Sequence, residues 1–108
     1  MGTDFNRELI IELLKKGPAF RILTEQAKDD LRNELRMSEN ECISFIIKSL
    51  ETGVELHYGQ TELEKYHGRD HWWFTKETKD NILAYIKVQI DSESKKIIII
   101  VISAHESR

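Results

Sequence analysis

The spacing of hydrophobic residues changes once along this chain, close to Gly53. Before that residue, hydrophobic side chains recur every three or four positions, which is the period of an amphipathic helix. From Val54 onward they alternate with polar side chains, which is the period of a strand with one buried face. Helices followed by strands predict an α+β fold, in which N-terminal helices pack on a mostly antiparallel, twisted sheet. The length of 108 residues predicts one domain over 1–108.

Three helices are predicted in the first half of the chain. The first covers 4–16 and is stopped by a Gly-Pro pair. A short extended link at 19–23 leads to a second helix over 24–37, which starts at a threonine cap. Ser38-Glu39-Asn40-Glu41 has the pattern of a capping box, which predicts that a third helix starts there and ends near Gly53. Its hydrophobic residues cover more than one stripe, so we expect this helix to be the most buried.

The second half of the chain is predicted to form strands, at 54–58, 71–75, 81–91 and 95–105. The polar segment 59–68 is predicted as a loop, and 91–94 has the composition of a turn. The last two strands are therefore expected to form a hairpin. Because the last strand is hydrophobic on both faces, we expect it to lie in the interior of the sheet.

The polar face of the strand over 81–91 is the first candidate for a site. Its even-numbered residues are hydrophobic, and its odd-numbered residues Tyr85, Lys87 and Gln89 project together from the other face. The commoner interpretation of such a face is a solvated surface. The alternative is an anion site with Tyr85 at its centre.

Two histidines could join Tyr85 on that face. His57 falls in the first predicted strand and His105 at the end of the last. Two imidazoles near a phosphodiester could act as general base and general acid, although each histidine alone is more often simply exposed. Tyr85 and His105 share a face if the hairpin loop is odd or the ladder holds one bulge; otherwise they lie on opposite faces.

An aromatic strand and nearby cations suggest contact with single-stranded nucleic acid. Adjacent strand residues face opposite ways, so one of the two tryptophans is expected in the core and the other free to stack on a base. The net charge is −3, so an RNA contact would need a local basic patch. The RNA-binding residues predicted on this basis are Arg69, Trp72, Trp73, Lys76 and Lys87.

Metal, cofactor and membrane functions find little support in the sequence. His67 and His71 are four residues apart, but no cysteine or carboxylate pair completes a tetrahedral set, so we expect no metal and no cofactor. Cys42 falls among the hydrophobic residues of the third helix, and a single cysteine favours a reducing, cytoplasmic compartment. No hydrophobic run approaches the ~18 residues that span a bilayer, so we expect no membrane contact.

The order of features resembles a known family. The segments "LLKKG", "LRMSENECISFIIKSL", "AYIKVQI" and "IVISAH" follow one another as in the MqsR family of type II toxins, which are small mRNA interferases with a RelE-like fold. The resemblance covers about residues 9–107. It implies a RelE-like fold, metal-independent cleavage of single-stranded mRNA by attack of the ribose 2′-hydroxyl, and a cognate antitoxin as partner.

The same resemblance implies three catalytic residues. The family's tyrosine falls on Tyr85, its C-terminal lysine falls on His105, and its lysine near the first sheet strand falls close to His57. A glutamine that the family places beside a tryptophan has no clear counterpart. The competing hypothesis is a non-catalytic RelE-like domain that binds or regulates other proteins. Convergence of His57, Tyr85 and His105 in one groove would favour the enzyme.

Overall fold

The sheet is built from both halves of the chain, and its edges are formed by two short strands. The computed structural model describes residues 3–60, 70–91 and 97–107. In chain order the elements are α1 (Thr3–Lys15), a 3₁₀ turn (Pro18–Phe20), β1 (Arg21–Leu23), α2 (Glu25–Asp30), a π-helical turn (Leu31–Leu35), α3 (Glu39–Glu51), β2 (His57–Gln60), β3 (Asp70–Glu77), β4 (Leu83–Asp91) and β5 (Ile98–Glu106). The strand order is β1-β5-β4-β3-β2, and every neighbouring pair is antiparallel except β1 and β5. The predicted α+β architecture is confirmed.

The capping signals act as the sequence predicts. The backbone N–H of Glu41 donates to Ser38 Oγ at 3.1 Å, and the N–H of Ser38 donates to Glu41 Oε1 at 3.0 Å. These two bonds complete the capping box of α3. At α2, the N–H of Ala27 donates to Thr24 Oγ1 at 3.1 Å. Each cap satisfies a backbone donor that a helix start leaves unpaired.

The core lies between the helices and one face of the sheet. The even-numbered residues of β4 point into it, as the alternation predicts, and Ala84, Ile86 and Val88 are buried. Cys42 of α3 is also fully buried, as expected, and burial raises the pKa of its thiol to about 12. The thiol therefore stays protonated and packs as a small hydrophobic group.

Two strand predictions are corrected by the structure. The link predicted at 19–23 contains a parallel edge strand, because Arg21–Leu23 pair with residues 99–101 of β5. The strand predicted at 54–58 begins only at His57 and continues through Gln60. One reason is that the Arg7 guanidinium donates a hydrogen bond to the Val54 carbonyl oxygen at 2.7 Å. That carbonyl is therefore not available to pair with a neighbouring strand. Most of the predicted loop at 59–68 and the turn after Asp91 lie outside the described residues.

A β-bulge in β5 decides which side chains share a face at the end of the hairpin. Lys87 pairs with Ser103 whereas Val88 pairs with Val101, so Ile102 is an extra residue. Thr24 stabilises the bulge through two hydrogen bonds. Its backbone N–H donates to the Val101 carbonyl at 3.1 Å, and its hydroxyl donates to the Ile102 carbonyl at 3.3 Å. The bulge is the arrangement under which Tyr85 and His105 share a face, and they pair directly across the two strands.

Candidate functional site

The sheet face that points away from the core carries a continuous row of aromatic rings. The row consists of His57, Trp73, Tyr85 and His105, which come from β2, β3, β4 and β5 in that order. The ring centroids are 4.1 Å apart for His57 and Trp73, 5.6 Å for Trp73 and Tyr85, and 5.1 Å for Tyr85 and His105. We call these four residues the ring row.

The register of the sheet produces the ring row. His57 pairs opposite Trp73, and Tyr85 pairs opposite His105, so both pairs stack across neighbouring strands. Trp73 and Tyr85 are diagonal neighbours, since Trp73 pairs with Lys87. Side chains stand roughly perpendicular to a sheet, so stacked rings direct their edges away from it. The ring edges carry the Tyr85 hydroxyl and the imidazole nitrogens.

Lys87 provides positive charge beside the row. It lies on the same face as Trp73 and Ser103, its partners on either side, and two residues from Tyr85 along β4. Its side chain is half-buried against them. Burial raises the pKa of Tyr85, so its hydroxyl is protonated at neutral pH. A phenol donor and an ammonium group thus lie two residues apart on one face of the sheet, which suits an anionic ligand.

The hydrogen bond of His105 determines its tautomer when the ring is neutral. Its Nδ1 lies 2.7 Å from the Glu106 carbonyl oxygen, and a carbonyl can only accept, so Nδ1 carries the proton. The basic lone pair of the neutral ring is therefore on Nε2.

No family model, curated protein or solved structure matches this chain. The resemblance to the MqsR family and to the RelE-like fold therefore stays a prediction. Within the described ranges, no helix is long and hydrophobic enough to cross a membrane.

The structure brings together most of the predicted site residues. His57, Tyr85 and His105 share one face of the sheet with Trp73 and Lys87. His57 and His105 do not flank a common point, however, because they lie on strands three spacings apart, which is about 14 Å. A base and an acid that serve one phosphodiester must both reach it directly, so these two histidines cannot be that pair.

Two predicted RNA-binding residues point to the other face, and one lies outside the described residues. Trp72 is only 4% exposed and belongs to the hydrophobic core, so its prediction as a base-stacking residue is wrong. Lys76 also faces the helix side, where it lines a groove between α3 and the β3–β4 turn, away from the ring row. Arg69 and His67 fall in the segment that the structure does not describe.

Sequence reasoning missed a buried polar pair next to the ring row. His71 and Gln89 pair opposite each other on the ring-row face, yet they are only 9% and 1% exposed. Alternation of β4 placed Gln89 on the polar face, but alternation does not predict burial. His71 was considered only as a possible zinc ligand with His67.

Burial of His71 predicts a pH dependence of stability. Burial is the main cause that lowers its pKa, nearby Lys87 adds to the effect, and Asp70 opposes it. The folded protein then binds fewer protons at His71 than the unfolded chain, whose histidines titrate near about 6.5. We therefore expect the free energy of unfolding to fall as the pH is lowered from 7 through about 6.5 and below, and to fall less steeply in His71→Phe.

Urea unfolding followed by circular dichroism between about pH 7 and pH 5.5 measures this difference. The other titrating groups are the same in both proteins, so the difference between the two pH slopes reports on His71 together with its coupling to Asp70 and Lys87. An identical pH slope in the two proteins would show that His71 titrates no differently in the folded and unfolded states.

Proposed function

We propose that this protein is a metal-independent endoribonuclease that cleaves single-stranded mRNA, and that it acts as the toxin of a type II toxin–antitoxin system. The observation that carries the nuclease proposal is the contact between the Tyr85 and His105 rings, with Lys87 beside them on the same sheet face. The toxin role and the antitoxin partner rest on the resemblance to the MqsR family.

Cleavage by the ribose 2′-hydroxyl requires only groups that move protons and stabilise charge. The 2′-oxygen bonds to the adjacent phosphorus, and the bond from phosphorus to the 5′-oxygen breaks, which leaves a 2′,3′-cyclic phosphate and a 5′-hydroxyl. One proton leaves the 2′-oxygen and one reaches the 5′-oxygen. Between these events the phosphorane carries extra negative charge that a cation or a hydrogen-bond donor stabilises.

The ring-row face offers a group for each of these tasks. His105 Nε2 takes the proton of the 2′-hydroxyl, since the Glu106 carbonyl holds the other proton on Nδ1. The Tyr85 hydroxyl donates to the leaving 5′-oxygen, because a departing alkoxide is far more basic than a phenolate. The Lys87 ammonium stabilises the phosphorane. His105 then returns its proton to Tyr85, which restores both groups.

Trp73 and His57 extend the surface on which the RNA strand lies. Both faces of the Trp73 ring are occupied, one by His57 and the other by Tyr85, so Trp73 contacts the RNA strand through its ring edge. His57 stacks on Trp73 and lies too far from His105 to act on the same phosphate. In this proposal His57 contacts a neighbouring nucleotide and does not exchange protons at the scissile bond.

An antitoxin partner would silence the enzyme most directly by covering the ring row. Expression of the chain alone is then expected to arrest growth of the host cell, and co-expression of its antitoxin to restore it. The partner would meet Lys87 and the ring edges, so carboxylates at its contact surface would suit this face.

The proposal is tested by incubating mixed-sequence single-stranded RNA with the protein in the presence of EDTA. We expect products with 2′,3′-cyclic phosphate ends. Lys87→Ala is expected to lower the rate by about 10²-fold, which is typical for loss of a group that stabilises transition-state charge. Lys76→Ala is the matched control, because Lys76 lies on the opposite face of the same sheet.

Absence of cleavage by folded protein that is free of antitoxin would overturn the nuclease proposal. Equal losses in Lys87→Ala and Lys76→Ala would overturn the assignment of the ring-row face. In the first case, the non-catalytic protein-binding domain becomes the better hypothesis.

A further inference from the structure

His71 and Gln89 form a buried polar pair on the ring-row face. The two residues lie directly opposite each other on β3 and β4, with exposures of 9% and 1%. Among the described residues, His71 Nδ1 and both the nitrogen and the oxygen of the Gln89 amide have no hydrogen-bond partner. The Gln89 amide and one ring nitrogen of His71 are therefore buried away from water, and no hydrogen bond from the described residues replaces their hydration.

Such an arrangement is costly and therefore uncommon. Buried polar side chains in native proteins nearly always have hydrogen-bond partners, and leaving one unpaired destabilises the folded state. Methionine or leucine at position 89 would fill similar space with no such cost. A buried amide with both ends unpaired therefore points to a partner that is supplied by a ligand.

The position of the pair indicates what that ligand is. Gln89 lies two residues beyond Lys87 on β4, and His71 two residues before Trp73 on β3, so the pair is about 7 Å from the ring row along the strands. One nucleotide bridges such a distance. A strand whose phosphate meets Lys87 and Tyr85 therefore brings a neighbouring base to the pair.

Resting on the nuclease function proposed above, we infer that His71 and Gln89 read the edge of one nucleobase, and that the preferred base is adenine. An amide presents one donor and one acceptor side by side, and adenine presents the complementary amino group and ring nitrogen, so glutamine and adenine form two hydrogen bonds at once. His71 Nδ1 can bond a further polar atom of the same purine. Sequence-specific contact with unpaired RNA bases commonly uses such edges.

Gly59 leaves room for the His71 ring. It pairs opposite His71 on β2, and a Cβ atom at this position would come within 3.0 Å of His71 Nε2. The absence of a side chain at Gly59 lets the imidazole of His71 lie over β2. Because Gln89 is only 1% exposed in the free protein, reading a base includes an induced fit that exposes its amide.

The test uses binding, so that it does not depend on cleavage. Fluorescein-labelled 2′-fluoro strands of oligo(A), oligo(C) and oligo(U) lack the attacking hydroxyl, and their affinities are measured by anisotropy. The wild type is expected to bind oligo(A) about tenfold more tightly than the other two, and Gln89→Met to lose that preference. Gln26→Met is the matched control, because Gln26 lies on the surface of α2 and bonds only to Asp30 in the described contacts.

The possible results distinguish failure of the base-reading pair from failure of the nuclease. Equal binding of the three strands by the wild type, or an adenine preference that survives in both Gln89→Met and Gln89→Leu, overturns the base-reading pair and leaves the nuclease untouched. Adenine preference without cleavage of ordinary RNA supports the pair and overturns the nuclease. No binding of any strand overturns both. Urea unfolding of Gln89→Met checks the fold, and its stability is expected to equal or exceed that of the wild type.

Discussion

Replacement of Tyr85 by phenylalanine is expected to lower the rate of RNA cleavage by about 10²–10⁴-fold, the usual contribution of a positioned proton donor. The change removes only the hydroxyl, while the ring that stacks between Trp73 and His105 stays in place. Because the stacking is retained, RNA binding should change little. The measurement is the initial cleavage rate at saturating RNA, together with the affinity for a 2′-fluoro strand.

A second tyrosine in the chain provides the control for this variant. Tyr58 is 52% exposed, and its hydroxyl donates to Asp70 Oδ1 at 2.6 Å on the face away from the ring row. Tyr58→Phe therefore removes a hydroxyl from the same sheet without touching the site, and its cleavage rate should match the wild type. If Tyr85→Phe cleaves as fast as Tyr58→Phe, the Tyr85 hydroxyl has no role in proton transfer.

Deletion of Ile102 is expected to abolish cleavage and to lower the free energy of unfolding by about 4 kcal/mol or more. The deletion removes the extra residue of the bulge. One part of β5 must then turn over relative to β4, so that its side chains exchange the two faces of the sheet. If residues 103–106 turn over, His105 enters the core and Ala104 leaves it. If residues 98–101 turn over instead, Ile99 and Val101 leave the core.

Both outcomes are costly for the same reason. Ile99, Val101 and Ala104 are fully buried, whereas His105 is a polar group that makes its hydrogen bond at the surface. A buried hydrophobic side chain moved into water loses about 1.5–3 kcal/mol, and a polar group moved into the core loses its partners. Thr24 would also lose the Ile102 carbonyl to which it donates.

The control for the deletion keeps the bulge and removes only a side chain. Ile102 is partly exposed, so Ile102→Ala should retain the register, the cleavage activity and most of the stability. Urea unfolding and the RNA cleavage assay measure both properties. A deletion variant that is as stable and as active as Ile102→Ala would mean that the bulge does not decide the face of His105.

Local patterns in the sequence predicted the elements whose causes are local. The capping box at Ser38 and Glu41 is an interaction between residues three apart, and the structure forms both of its bonds. The alternation along 81–91 separated the buried residues of β4 from Tyr85 and Lys87 because successive strand residues face opposite ways. The burial of Cys42 followed from the hydrophobic residues around it.

Predictions that depended on distant partners were incomplete or wrong. The parallel strand β1 has three residues, too few for a period, and pairs with residues 99–101 at the other end of the chain. Alternation showed that only one of Trp72 and Trp73 could be exposed, but the pairing of β3 with β4 decided that Trp72 is the core residue. Lys76 follows Trp72 by four residues and therefore shares its face.

By itself, the sequence determined the order of helices and strands and the identity of the hydrophobic face, because these depend on residues close together in the chain. Only the tertiary structure decided which chemical groups meet. The bulge at Ile102, held by Thr24, turns His105 toward Tyr85, and the strand order places His57 at the far end of the ring row. The burial of His71 and Gln89 is equally a property of packing. A shift of one residue in strand pairing exchanges the two faces of a sheet, and no local pattern in this hairpin encodes that shift.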